Sequence, residues 1–228
     1  MCGRYLLTHS AADIVAFFRA IPAPAEYASG GNISPTQQIV VVTGGDEPRL
    51  TTMRWGMTPP WSGTRNSGRP IINARSETVT QKPMFRDLLP THRCIVPASG
   101  YYEWPRNRPP RSTPFEIAFD DGNLMAMAAL WTNAPTSDGQ STSCVIITTA
   151  PAPEIAEIHD RMPALLPQAA VEIWLDQKTS VPDAVALLRP WQYDRLTATD
   201  NTRRSLSKAE SGENRAGVSQ QLDLWEDL

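Results

Sequence analysis

Leu124-Met-Ala-Met-Ala-Ala-Leu-Trp131 and Cys144-Val-Ile-Ile-Thr-Thr149 decide the fold. Each is a short apolar run bounded by turn formers, the pattern of a buried strand rather than an amphipathic helix. Four more runs of the same kind precede them: Gln38–Thr43, Leu50–Trp55, Cys94–Ala98 and Phe115–Phe119. Helical patterns stand at either end. Ser10-Ala-Ala-Asp13, followed by Ile14, Val15, Phe17 and Phe18, predicts an N-capped amphipathic helix ending near Pro22. Further helices are predicted over Pro153–His159, Gln168–Leu175 and Pro182–Leu188. Strands in sequence followed by helices indicate an α+β domain with a largely antiparallel, barrel-like sheet and flanking helices.

That domain is expected over residues 1–196. Residues 197–220 carry only Leu206 and Val218 as sizeable apolar groups, too few to offset ordering entropy, and read as a disordered linker. Residues 221–228 end the chain in a small apolar cluster. The whole chain has 228 residues, 41% hydrophobic and 20% charged, enough for one domain plus a tail. No apolar run approaches the roughly 18 residues that span a bilayer, and no basic leader precedes the first helix. A soluble cytoplasmic protein is expected. Its three cysteines, Cys2, Cys94 and Cys144, are far apart with no CxxC, which argues against a disulfide framework or a zinc site.

The formal net charge is −3, but it is unevenly spread. Residues 49–111 hold 11 basic and 3 acidic side chains, whereas residues 112–228 hold 8 and 17. Ten of those eleven cations are Arg, whose planar fork suits phosphate. A local nucleic-acid groove is one reading; a coding bias toward Arg is the other.

Cys2 is the most informative position. If Met1 is removed, one residue offers a thiol of pKa about 8.5 beside an α-amine of pKa about 8. Such an aminothiol condenses with an aldehyde, through a Schiff base, to a five-membered thiazolidine. It can equally serve as an N-terminal nucleophile in acyl transfer. His159, in His159-Asp-Arg-Met-Pro163, is placed at a helix C-terminus, where it is a candidate proton shuttle or a cap. Glu103 lies in Ser99-Gly-Tyr-Tyr-Glu-Trp104 among three aromatics, a setting that raises a carboxyl pKa and suits a general acid or base, unless the residue faces solvent. Asn73 and Arg75 share a face if Pro70–Glu77 is extended, placing an orienting amide beside a phosphate grip. Trp61, on a Pro-stiffened turn, can stack on a base.

Several strings occur in one order: Met1-Cys-Gly-Arg-Tyr5, Asn32-Ile-Ser-Pro-Thr36, Arg54-Trp-Gly-Met57, Ile72-Asn-Ala-Arg-Ser-Glu77, Arg93-Cys-Ile-Val-Pro-Ala-Ser-Gly-Tyr-Tyr-Glu-Trp104 and His159-Asp-Arg-Met-Pro163. Together they closely resemble the SRAP family, the SOS-response-associated peptidases now understood as abasic-site processing proteins. The resemblance covers roughly residues 1–190. It implies binding of single-stranded DNA at an abasic site and a stable thiazolidine crosslink that shields the lesion. Cys2 would then be the nucleophile, Asn73 would position the sugar, Glu103 would exchange protons with the amine, and His159 would shuttle protons. Arg4 and Arg75 would hold phosphates, Trp61 would stack on a base, and Thr148 and Arg161 would line the DNA path. No cofactor is implied. Met1 directly precedes Cys2, so ordinary methionine removal is expected to suffice. A monomer acting on DNA in the cytoplasm, at the nucleoid, is expected.

Two departures stand out. Gly31 occupies the place where the family usually has Tyr before the Asn-x-x-Pro string, and the family's usual C-terminal segment has no evident counterpart after Trp191. The tail holds Gln221-Leu222-Asp223-Leu224-Trp225, which resembles the bacterial sliding-clamp binding pentapeptide; a tail that folds back on the domain is the alternative. Two other functions remain open on the residues alone: a processing peptidase using Cys2 and His159, and a non-catalytic single-strand binder; the resemblance also implies an AP-lyase side reaction, in which β-elimination from the Schiff base nicks the strand.

Overall fold

The computed structural model describes residues 2–22, 29–58, 70–105, 113–133, 142–191, 193 and 195–201. Two sheets carry the fold. The larger is built from β3 (Gln38–Thr43), β4 (Arg49–Trp55), β5 (Asn73–Arg75), β6 (Arg93–Ala98), β9 (Met125–Thr132), β10 (Ser143–Thr149) and β11 (Met162–Pro163). The smaller, in the order β12-β8-β7-β1-β2, comprises β12 (Leu196–Asp200), β8 (Phe115–Phe119), β7 (Gly100–Glu103), β1 (Tyr5–Leu7) and β2 (Gly30–Ile33). Five helices complete the chain: α1 (Ala11–Phe18), α2 (Pro83–Arg86), α3 (Pro153–Ala156), α4 (Gln168–Leu175) and α5 (Val181–Ala186).

The larger sheet curls into the barrel-like form that the strand pattern predicts. Its pairings run from β10 through β4, β3, β6 and β9 and return to β10. They are antiparallel except where β10 meets β4 and β5. Every residue of β10 is buried, which explains its unbroken apolar sequence: strands covered on both faces lose the alternation of half-exposed ones. In β9, strand alternation sets Met125, Met127 and Ala129 on one face and Ala126, Ala128 and Leu130 on the other, and all six are buried.

α1 begins as its sequence predicts, with a reciprocal Ser10–Asp13 capping box. It ends at Phe18, short of Pro22, where Arg19 turns left-handed at φ 49°. α3 is also shorter than predicted and stops at Ala156, so His159 lies in the turn beyond it. The amide of His159 still bonds to Ile155 O at 3.0 Å. A four-residue helix has little dipole to offer, and the imidazole is held by other contacts.

The expected domain boundary at 196 needs correction. Thr197–Asp200 are paired residue for residue with β8 as the outer strand of the smaller sheet. A polar edge strand is stabilised by ladder hydrogen bonds that the side-chain pattern does not advertise. Residues 202–228, including the rest of the expected linker and the 221–228 cluster, lie outside the described residues.

One buried cation ties the helical side to the barrel. Arg93 on β6 is 3% exposed and donates to the carbonyls of Leu89, Pro90, Trp174 and Asp176. It thereby satisfies carbonyls left orphaned at the end of α4, where the dipole also favours a cation. Beside it the β3–β4 turn comes close to α4: a Cβ on Gly44 would collide with the Leu175 carbonyl oxygen. Gly44→Ala is therefore expected to cost about 1–3 kcal/mol as turn and helix move apart, measured as a lower urea midpoint at unchanged m-value.

Candidate functional site

Four elements converge on residue 2. Cys2 precedes β1 and is fully buried. Asn73 opens β5, placed by its pairing with Ile146 on β10, and its Nδ2 donates to Cys2 O at 2.9 Å. Glu103 ends β7, 3% exposed, with His159 Nε2 3.5 Å from its Oε1. The sequence-level candidates Cys2, Asn73, Glu103 and His159 thus form one cluster, although up to 157 positions separate them. The extended form expected for Asn73 and Arg75 is present, with Asn73 half-buried and Arg75 exposed.

The Cys2 thiol lies 4.0 Å from Arg4 O. Burial, and then the charge of Glu103, push it far above the ordinary thiol range, so it rests protonated. Burial likewise raises the Glu103 carboxyl, and Asp160 adds to this. The solvent-facing reading of Glu103 is therefore set aside.

His159 is oriented through its other nitrogen. Nδ1 lies 3.0 Å from the Arg161 amide nitrogen and 3.2 Å from the Arg161 carbonyl oxygen, which fixes the ring with Nε2 toward Glu103. Asp160 Oδ1 stands 3.2 Å from Nδ1 and is half-exposed. Glu103, His159 and Asp160 together form a chain of titratable groups leading from the buried cluster toward solvent.

The expected DNA-facing residues divide. Arg75 is exposed, and half-buried Arg4 donates to Asn32 Oδ1 at 2.8 Å. Arg161 is already engaged: its guanidinium forks onto Glu77 at 2.6 and 3.0 Å and donates to Thr148 O at 2.6 Å. Thr148 is fully buried, with Oγ1 3.4 Å from Ala74 O. Arg161 and Thr148 therefore brace β10 against the 74–77 segment, and the outer face is left to Arg75 and Arg4. Trp61 lies outside the described residues, as do Gln221, Leu222, Leu224 and Trp225. Sequence reasoning missed Glu77, Asn32 and Asp160 as partners; for Asp160 the signal was its place directly beside His159. No group of three or more His, Cys, Asp or Glu able to hold a metal occurs among the described residues, and no helix there is long and apolar enough to cross a membrane.

The family model described as SOS response associated peptidase (SRAP) matches residues 1–204. The chain belongs to the SRAP family. A Bacillus subtilis relative named abasic site processing protein YoqW is 38% identical over 204 residues, covering 87% of this chain and 91% of its own. The Escherichia coli protein named abasic site processing protein YedK is 30% identical over 190 residues, covering 81% and 83%. A crystal structure from Bordetella bronchiseptica superposes with a TM-score of 0.75 at 28% identity, covering 87% of this chain and 99% of that one.

A buried carboxyl with a raised pKa makes this SRAP domain's stability depend on pH. Native Glu103 binds a proton that the unfolded chain has already lost, so stability falls as pH rises above the ordinary carboxyl range. Glu103→Gln carries no such cost. It is expected to melt above the parent protein at pH 7, with the gap closing toward pH 4, as read by thermal denaturation at both pH values.

Proposed function

We propose that this protein recognises abasic sites in single-stranded DNA and crosslinks to them through Cys2 once residue 2 is the amino terminus. The observation that carries the reading is the single buried cluster of Cys2, Asn73, Glu103 and His159. The relatives named for abasic site processing support the substrate.

The chemistry follows from a carboxyl that burial biases toward its protonated form. The neutral α-amine adds to C1′ of the ring-opened deoxyribose, giving a carbinolamine. Glu103, in its protonated form, protonates the departing hydroxyl, and one water leaves as the iminium forms. The resulting carboxylate takes the thiol proton. The Cys2 sulfur then bonds to C1′, and the C=N π pair returns to nitrogen, leaving a neutral thiazolidine and a reprotonated Glu103. His159 and Asp160 connect this carboxyl to solvent, which serves ring opening and reversal. Asn73 fixes the residue-2 carbonyl, and Arg4 and Arg75 receive phosphates on the outer face. The adduct would shield the lesion from strand cleavage.

The test is a denaturing gel of the purified protein, its amino terminus verified by mass, mixed with single-stranded DNA bearing one abasic site. A slow, heat-stable band is expected for the parent protein and none for Cys2→Ala. Turnover of a peptide substrate without a DNA adduct would favour the peptidase reading. Equal non-covalent binding of intact and abasic strands by both proteins would favour a simple binder.

We also propose that Gln221-Leu222-Asp223-Leu224-Trp225 docks on a replication sliding clamp. Immobilised bacterial clamp is expected to retain the full chain and to lose at least tenfold of it with Gln221→Ala/Leu224→Ala. Equal retention of the two would exclude the peptide.

A further inference from the structure

The surroundings of His159 Nδ1 suit a ring that both gives and takes protons. The Arg161 amide nitrogen stands 3.0 Å away, a donor that matches the bare ring nitrogen. The Arg161 carbonyl oxygen at 3.2 Å and Asp160 Oδ1 at 3.2 Å are acceptors, which match Nδ1–H. Either state of Nδ1 therefore meets a partner, and a proton can enter or leave at Nε2 without the ring turning. Nε2 itself faces Glu103 Oε1 at 3.5 Å.

A ring carrying both protons is a cation, and this one has little water to hydrate it. The imidazole side chain is 11% exposed, whereas that of Asp160 is 52% exposed. A carboxylate is cheap to keep at the wetter position and brings negative charge against the nitrogen remote from Glu103. The turn that carries both residues is pinned by its next residue, whose guanidinium is held by Glu77 and by Thr148 O on β10. Asp160 and the imidazole are therefore held together by the fold.

We propose that Asp160 is a positioning residue for reversal of the crosslink, its carboxylate at Nδ1 supporting the imidazolium of His159 that recharges Glu103. In this direction the thiazolidine C–S bond breaks as the nitrogen pair forms C=N, and the Cys2 sulfur takes the Glu103 proton. The imidazolium hands its Nε2 proton to the carboxylate left behind, and the neutral ring keeps Nδ1–H toward Asp160 and Arg161 O. Water adds to the iminium and the proton it loses returns to Nε2. The carbinolamine then collapses to aldehyde and free amine, with Glu103 and the imidazolium restored. This assignment rests on the crosslinking reading.

The test is Asp160→Asn, which removes the charge and keeps the shape. Purified adducts with an abasic single-stranded oligonucleotide are followed as they release DNA from pH 5 to pH 8, with an alkoxyamine trapping the freed aldehyde. The titratable groups facing the imidazole are Glu103 on β7 and Asp160 on its own turn, with Cys2 beyond Glu103 and the Arg161 guanidinium turned to Glu77. Without the carboxylate the imidazolium is harder to form, so the limb that falls with rising pH should move about 0.5–1 pH unit acid. Release would be about three- to tenfold slower at pH 7, converging with the parent toward pH 5. Asp160→Glu keeps the charge and is expected to follow the parent. The charge of Asp160 also raises Glu103 directly, so Asp160→Asn is repeated in a His159→Gln background, where it is expected to shift nothing. Superimposable profiles overturn the proposal, as does an equal loss at every pH, a shift that persists without His159, or a large drop in melting temperature. A parent protein that forms no adduct removes the reaction and this assignment with it; adducts that release DNA with an unshifted profile remove the assignment alone.

Discussion

Strand β10 is the constraint on which the rest depends. It pairs with β9 and β4 through its first half, with β5 through Ile146–Thr148, and with β11 at Thr148 and Thr149. A three-residue strand such as β5 cannot persist alone, so its shape is borrowed from β10. Asn73 is thereby delivered to the Cys2 carbonyl. The two-residue β11 begins one residue after Asp160 and docks on the same strand, so its pairing fixes where the histidine turn can lie. Arg161 completes this bracing, its fork spanning Glu77 and Thr148.

The cluster runs on burial rather than on paired charge. In a low-dielectric setting the cheapest states are neutral, and both Cys2 and Glu103 are driven toward their protonated forms. Under the crosslinking reading, a carboxyl biased toward its protonated form suits departure of a hydroxyl as water, and it becomes a base once it has acted. The same burial makes the thiolate expensive, and nearby groups must then supply what solvent does not. Among the described residues, the basic surplus between residues 49 and 111 does not enter this cluster. Arg93 is consumed in capping α4, Arg54 donates to Gly56 O at 3.0 Å, and Arg75 stands outside.

Much of the architecture was legible because apolar runs report burial directly. β3 and β8 fall where the sequence places them, as does α4; β4, β6 and β10 differ by one residue at one end, and β9 is shifted by one residue at both. Elements that stayed hidden are short or polar: β1, β2, β11 and β12 are held by backbone ladders to neighbours far away in the chain, and nothing local marks them. Cys2, Asn73, Glu103 and His159 could be named from side-chain chemistry and motif likeness. The employment of Arg161 by Glu77 could not, because an ion pair across 84 positions leaves no trace in spacing.

The depth at which Cys2 lies has a consequence for the order of events in synthesis. Its carbonyl is held by Asn73 from a strand that forms only after β10, some 140 residues later, has joined the barrel. An aminopeptidase grips its substrate as a free, extended end. Trimming in front of residue 2 therefore belongs to the period while the chain is still emerging. Under the crosslinking reading, a copy that folds untrimmed would keep the residue-2 amine locked in a peptide bond, and the fraction of crosslinking-competent molecules would be set by a race between processing and folding.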